Sequence, residues 1–275
     1  MSDAYATELF GLDGQVILLA GGAGTIATEL AIGFRRAGAR VAIWSRSQAS
    51  VDTALTRLRE EAGSDEEGAV GLVVDAGSEE AVDAAIAESA AALGEPDVLV
   101  NAVGGNRGKG PFEELEVEAF EEILRLNLVA GLVVPTKLIA RYWKAAGRGG
   151  AIINIASMTS YRPLSGVWAY GAAKAGVMNL TAATAKEYAA DDIRVNAIAP
   201  GFVVAEQNRR LLVADEASGK LTERGASIIA RTPMGRFAEA REMCGAALFL
   251  ASRAAAGFVT GVTIPVDGGF LVDNV

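Results

Sequence analysis

Tyr170 and Lys174 stand four residues apart in "WAYGAAKAGV", so on a helix they share one face. Ser157 closes the apolar run "GAIINIAS", thirteen residues before the tyrosine. A phenol, an ammonium and a hydroxyl brought to one point can move a proton. Free tyrosine titrates near ~10 and is mostly protonated at neutrality, whereas an ammonium a few ångströms away favours the phenolate. The triple therefore reads as an acid–base set acting on an alcohol or carbonyl oxygen. Each residue alone has a plainer reading: core aromatic, solvated helix charge, strand-end turn former.

Little in the chain competes with that chemistry. There is no histidine and one cysteine, which leaves no intrachain disulfide and no His/Cys zinc set. Cys244 sits in the apolar helix "REMCGAALFLAS" and reads as packing. The balance of 34 acidic against 25 basic residues, a net charge of −9, argues against a nucleic-acid or anionic-membrane surface. Any anionic ligand then needs a local positive field. The N-terminal "MSDAYATELFGLDGQ" lacks the basic-then-apolar order of a targeting segment, and no uncharged apolar run approaches the ~20 residues of a bilayer span, so the expected location is cytoplasmic.

The elements that must position the triple are legible in order. Short β-branched runs, "QVILLA", "RVAIW", "AVGLVV" and "DVLV", alternate with Ala-rich helical segments from about Thr25 to Ala37, to about Ala62, and from Ser78. After Pro111 come a long amphipathic helix through Asn127 to about Ala146, the strand "GAIINIA", a helix from about Val167 to Ala189, the strand "IRVNAI", a helix near Glu239 to Ala251 and a last strand "GVTIPV". Strands this apolar suit a parallel sheet covered on both faces, so the chain is expected to be one doubly wound, Rossmann-type α/β domain. Phe202 to Arg236, charged and much longer than an ordinary βα connection, is expected to be a lid. Among the tryptophans, Trp44 reads as strand-end packing, while Trp168 stands close enough to Tyr170 to touch a ligand.

The first strand runs into "AGGAGTIATEL". Gly22, Gly24 and Ala27 fit G-x-G-x-x-G/A with a strand before and a helix after, the arrangement that lets backbone N–H groups approach a pyrophosphate at a helix N-terminus. A plain tight turn is the competing reading.

At this point the chain resembles the short-chain dehydrogenase/reductase family. The resemblance rests on the glycine turn, Asp75 in "VVDAGS", "NAVGG" from Asn101, Asn127, Ser157 with the Tyr-x-x-x-Lys pair, "NAIAPG" from Asn196 and "VTGVTIPVDGG" near the end, nearly the whole length. The turn departs from the family's T-G-x-x-x-G-x-G at Ala20, Thr25 and Ala27. The resemblance implies an NAD(P)-dependent enzyme acting on a CH–OH group. In it Tyr170 exchanges the proton with the substrate oxygen, Ser157 hydrogen-bonds that oxygen, Lys174 also holds the nicotinamide ribose, and Asn127 supports a water relay. Cofactor contacts are expected from Gly21, Gly22, Gly24, Thr25 and Ile26 in the turn. The other expected contacts are Ser45, Arg46, Asp75, Ala76, Asn101, Ala102, Val103, Gly104, Tyr170, Lys174, Pro200, Gly201 and Val203.

Which nicotinamide is bound depends on the end of the second strand, where an acid suits a ribose 2′-hydroxyl and an arginine a 2′-phosphate. Ser45 and Arg46 occupy it, so NADP(H) is expected, with NAD(H) as the alternative. In the lid, "EQNR" from Glu206, "LTERG" from Leu221 and "TPMGR" from Thr232 resemble the family branch related to D-mannonate oxidoreductase (fructuronate reductase). That branch implies a sugar acid, for which Asn106, Ser157, Arg162, Gln207, Asn208 and Arg209 are the candidate contacts. The same scaffold leaves open a general sugar-alcohol or 3-oxoacyl reductase, or a non-catalytic NADP-sensing protein. The apolar run "LNLVAGLVVPTKLIARYW" suits a homo-oligomer interface, and the family resemblance suggests a tetramer or dimer.

Overall fold

Seven parallel strands form the central sheet of the computed structural model, which describes residues 2–62, 68–106, 108–215 and 219–273. The first half runs α1 (Ser2–Phe10), β1 (Val16–Ala20), α2 (Thr25–Arg36), β2 (Arg40–Ser45), α3 (Gln48–Ala62), β3 (Ala69–Val73), α4 (Glu79–Leu93) and β4 (Pro96–Asn101). There follow α5 (Val117–Leu124), α6 (Val134–Ala145), β5 (Gly150–Ile155), α7 (Trp168–Tyr188) and β6 (Ile193–Pro200). The excursion after β6 holds α8 (Glu206–Leu212), β7 (Val213–Asp215), β8 (Lys220–Leu221) and α9 (Glu223–Ala230), before α10 (Cys244–Ala251), α11 (Arg253–Ala256) and β9 (Thr263–Val266).

The sheet order is β3-β2-β1-β4-β5-β6-β9, so the winding reverses between β1 and β4. Sites in open α/β sheets form at the carboxyl ends of the strands beside such a reversal. Alternation along β1 divides the core: Val16, Leu18 and Ala20 pack on one face, Ile17 and Leu19 on the other, and all five are buried. Trp44 is buried at the end of β2 with Nε1 donating to Ser89 Oγ at 3.0 Å, as strand-end packing requires.

Two features refine the sequence reading. The long helix through Asn127 is not uniformly α: Arg125–Val133 is π-helical between α5 and α6, a wide turn often found at functional sites. The continuous run Val117–Ala145 is long and apolar enough to cross a bilayer, yet 61% of its most apolar window is buried, with Leu132, Leu138, Ile139 and Trp143 in the core. The expected lid is a folded unit of helix, antiparallel hairpin and helix, closed on itself by Thr222, whose N donates to Leu212 O at 3.0 Å and whose Oγ1 donates to Leu211 O at 2.8 Å.

Candidate active site

Helix α7 presents Tyr170 and Lys174 one turn apart, as the spacing requires, and β5 ends just before Ser157. Ser157 is extended, at φ −162° and ψ 159°, and caps a short 3₁₀ turn with its Oγ accepting from Thr159 N at 3.1 Å. Its side chain lies near enough to the Tyr170 phenol to favour the phenolate. Lys174 is 4% exposed; its Nζ donates to Ile155 O at 2.7 Å and lies 5.8 Å from the centre of the Tyr170 ring. Burial pushes the lysine down from 10.5 to about 8. For Tyr170, burial raises the phenol above 10.0 and outweighs the lowering by Ser157. Lys174 lowering the phenol, expected from the sequence, is thus not the dominant effect in the protein alone, where the ammonium is tied to a strand carbonyl.

Asn127 sits in the π-helical turn, fully buried. Its Nδ2 donates to Gly105 O at 2.7 Å and Ile123 O at 3.0 Å, and its Oδ1 accepts from Gly105 N at 3.0 Å. The side chain clamps the loop after β4 against the helix. A Cβ on Gly104 would fall 2.7 Å from Asn127 Oδ1 and 3.4 Å from Lys174 Nζ, so that loop runs directly over both residues.

These groups face a cleft of about 330 Å³ whose lining includes Ser157, Tyr170, Lys174, Gly24, Thr25 and Gly201. Ile26, Ala102, Gly104, Pro200 and Val203 line it as well. At its base the glycine turn makes a close approach only glycine allows. Gly21 has φ +77°, and a Cβ there would lie 2.7 Å from Val103 N. Helix α2 opens at Gly24 with no side-chain cap and no acid in its first turn, an electropositive end suited to a phosphate. Thr25 and Ala27 line the cleft without closing it.

The remaining expected cofactor residues lie at the far end of the same strand edge. Gly22 N donates to Trp44 O at 2.9 Å, which sets the glycine turn beside the end of β2, with Ser45 half-buried and Arg46 exposed. Val74 N donates to Ser45 O at 2.8 Å, bringing the segment of Asp75 and Ala76 alongside. Asp75 Oδ1 accepts from Gly77 N at 2.9 Å in a local turn, and Ala76 is buried. Asn101 ends β4 beside the cleft-lining Ala102, with its side chain turned inward. Its Nδ2 donates to Thr136 Oγ1 at 2.9 Å and Asn154 Oδ1 at 2.8 Å, so its side chain joins a buried polar chain under the sheet end.

Of the expected substrate contacts, Ser157 and Asn106 line the cleft. Arg162 does not: its Nη1 donates to Phe270 O at 3.3 Å and Asp273 O at 2.9 Å, and it faces a separate groove with Arg231. That corrects the expectation, because two carbonyls of the C-terminal segment hold the guanidinium elsewhere. Arg209 is exposed on α8 and is not among the cleft-lining residues; the side chains of Gln207 and Asn208 lie outside the described ones. Trp168 turns away too, donating from Nε1 to Gly110 O at 3.0 Å and meeting Phe112 edge-on at 5.5 Å. Reasoning from the sequence missed Arg224, which lines the cleft from α9; its signal was the "LTERG" string.

The family model described as enoyl-(acyl carrier protein) reductase matches residues 21–271. Gluconate 5-dehydrogenase from Gluconobacter oxydans is 33% identical over 267 residues, covering 96% of this chain and 98% of its own. Gluconate 5-dehydrogenase from Burkholderia cenocepacia, solved with NADP and tartrate, is 35% identical at a TM-score of 0.84, covering 98% of this chain and 100% of its own. A candidate D-mannonate oxidoreductase from Haemophilus influenza, solved with NAD, is 31% identical at a TM-score of 0.86, covering 98% and 99%. With a full-length parallel sheet, a glycine-rich opening of α2 and a Ser-Tyr-Lys cleft already in place, these likenesses settle the family: the chain belongs to the short-chain dehydrogenases/reductases.

Proposed function

We propose that the protein is an NADP(H)-dependent oxidoreductase interconverting a secondary alcohol and a ketone on a sugar acid of the gluconate or mannonate kind. The reading extends to a cytoplasmic homo-oligomer, a tetramer or dimer, for which the exposed Val117 and Val133 on the apolar helical run offer a contact face. One observation carries the catalytic part: Ser157, Tyr170 and Lys174 line the same cleft as the uncapped start of α2.

The cradle fits a dinucleotide. Gly21 and Gly24 leave the backbone open, α2 offers its N-terminus to the phosphates, and Arg46 has no side-chain partner among the described residues with which a 2′-phosphate would compete. A bound nicotinamide supplies or accepts the hydride. Tyr170 gives or takes the proton at the substrate oxygen, Ser157 donates a hydrogen bond to that oxygen, and Lys174, cationic below about 8, stabilises the phenolate and holds the ribose. Asn127 fixes the loop over Lys174 and supports the relay of protons toward it.

The sugar acid is supported by the gluconate 5-dehydrogenase relatives and by Asn106 in the cleft; Gln207, Asn208 and Arg209 remain proposed contacts from the lid. Tyr170→Phe is the test. NADPH affinity should stay within about threefold while turnover of D-gluconate or D-mannonate falls by roughly 10³-fold or more, as loss of the proton-transfer group requires. Unchanged turnover would remove Tyr170 from the mechanism.

A further inference from the structure

The protein carries a net charge of −9, yet among the described residues the cleft is lined by two cations, Lys174 and Arg224, and by no acidic residue. Lys174 is committed, 4% exposed, beside Tyr170 and bonded to Ile155 O. Arg224 is different. It reaches the cleft from the lid and is exposed, and its guanidinium makes no hydrogen bond or ion pair among the described residues. Several other surface arginines are paired, as Arg57 is with Glu29 and Glu61, and Arg236 with Glu242.

Its setting is also costly unless it serves a ligand. Arg224 is the second residue of α9, where the helix dipole disfavours a cation. The neighbouring residues hold it there. Thr222 caps the helix, its Oγ1 accepting from Gly225 N at 3.0 Å, and Gly225 packs so tightly beneath the Leu212 carbonyl that a Cβ would collide with it. Leu221 lies in β8 of the hairpin. The "LTERG" string thus reads as hairpin strand, cap, exposed acid, cleft-facing cation and close-packed glycine, a device for presenting one guanidinium.

We infer that Arg224 binds the substrate's carboxylate, so that the lid selects an anionic substrate and orients it with the reacting carbon toward Ser157 and Tyr170. The inference rests on the sugar-acid reading and deepens it. A planar guanidinium matches a carboxylate with two parallel hydrogen bonds, and a neutral polyol offers it no such partner. Selectivity for the acid then comes from a residue that does not touch the reacting atoms.

The experiment compares D-gluconate and D-mannonate with the uncharged D-glucitol and D-mannitol, using NADP⁺, in wild type, Arg224→Gln and Arg224→Lys. In Arg224→Gln, kcat/KM on the acids should fall roughly 10- to 100-fold, mostly through KM, while the alditols stay within about threefold and NADPH affinity is unchanged. Arg224→Lys should recover part of the loss. An acid-to-alditol ratio unchanged in Arg224→Gln would overturn the inference and leave the sugar-acid reading standing. Wild-type enzyme that oxidised alditols as well as acids, or neither, would overturn both.

Discussion

Replacing Lys174 with methionine separates what the buried ammonium costs the fold from what it gives the reaction. Burial lowers its pKa from 10.5 to about 8, so at pH 7 the folded protein holds a charge that its unfolded chain carries more cheaply, by about 3 kcal/mol. The sign follows from proton counting. Between about 8 and 10.5 the unfolded lysine is protonated and the folded one is not, so the unfolded state binds more protons and wild-type stability rises with pH across that window. Methionine has nothing to titrate. Its advantage over wild type should therefore shrink by about 2.5 kcal/mol between pH 7 and pH 10. The methionine variant also leaves Ile155 O without its 2.7 Å donor, an offset of roughly 1–2 kcal/mol that does not vary with pH. Tyr170, raised by burial, opposes the trend only above its unfolded value near 10.0 and does so in both proteins. The assay is urea unfolding without cofactor at pH 7, 8, 9 and 10, paired with kcat/KM at pH 7, which should fall by at least about 100-fold in the variant. Parallel stability curves for the two proteins would refute the buried, shifted lysine.

Ser45→Asp with Arg46→Leu should lower the NADPH-to-NADH affinity ratio by on the order of 100-fold, since a guanidinium–phosphate contact is lost and a repelling carboxylate gained; equilibrium titration of both nucleotides checks it. Gly21→Ala should cost at least ~2 kcal/mol in urea unfolding, because φ is +77° and the Cβ would meet Val103 N at 2.7 Å. Gly105→Ala is the control: with nothing within 4 Å of its Cβ position, it should change stability by no more than ~0.5 kcal/mol.

The parallel sheet was legible because its strands are apolar runs spaced by helices, and Tyr170 with Lys174 because helical periodicity puts residues four apart on one face. The glycine turn was legible because it lies wholly within one strand–turn–helix unit. What escaped depends on contacts between distant segments. Arg162 and Arg224 are both arginines near family-like strings, and no local pattern tells which meets the cleft; carbonyls of residues 270 and 273 take one, and the Gly225–Leu212 packing directs the other. The side-chain partners of Asn101, Thr136 and Asn154, could not be read locally because they lie 35 and 53 residues away. The fold of the excursion after β6 was hidden because a charged segment with short elements has no sustained period to read. The π-helical turn at Asn127 has no sequence signature that separates it from the α-helix on either side.

The central claim is that the altered glycine turn, with Thr25 and Ala27 in it, still delivers a nicotinamide to the Ser157, Tyr170 and Lys174 cleft. Titration of the purified protein with NADPH and with NADH, followed by nicotinamide fluorescence, tests it most directly. The expected result is saturable NADPH binding at least tenfold tighter than NADH. Absence of binding by both nucleotides would contradict the account, since the cleft would then be no cofactor site at all.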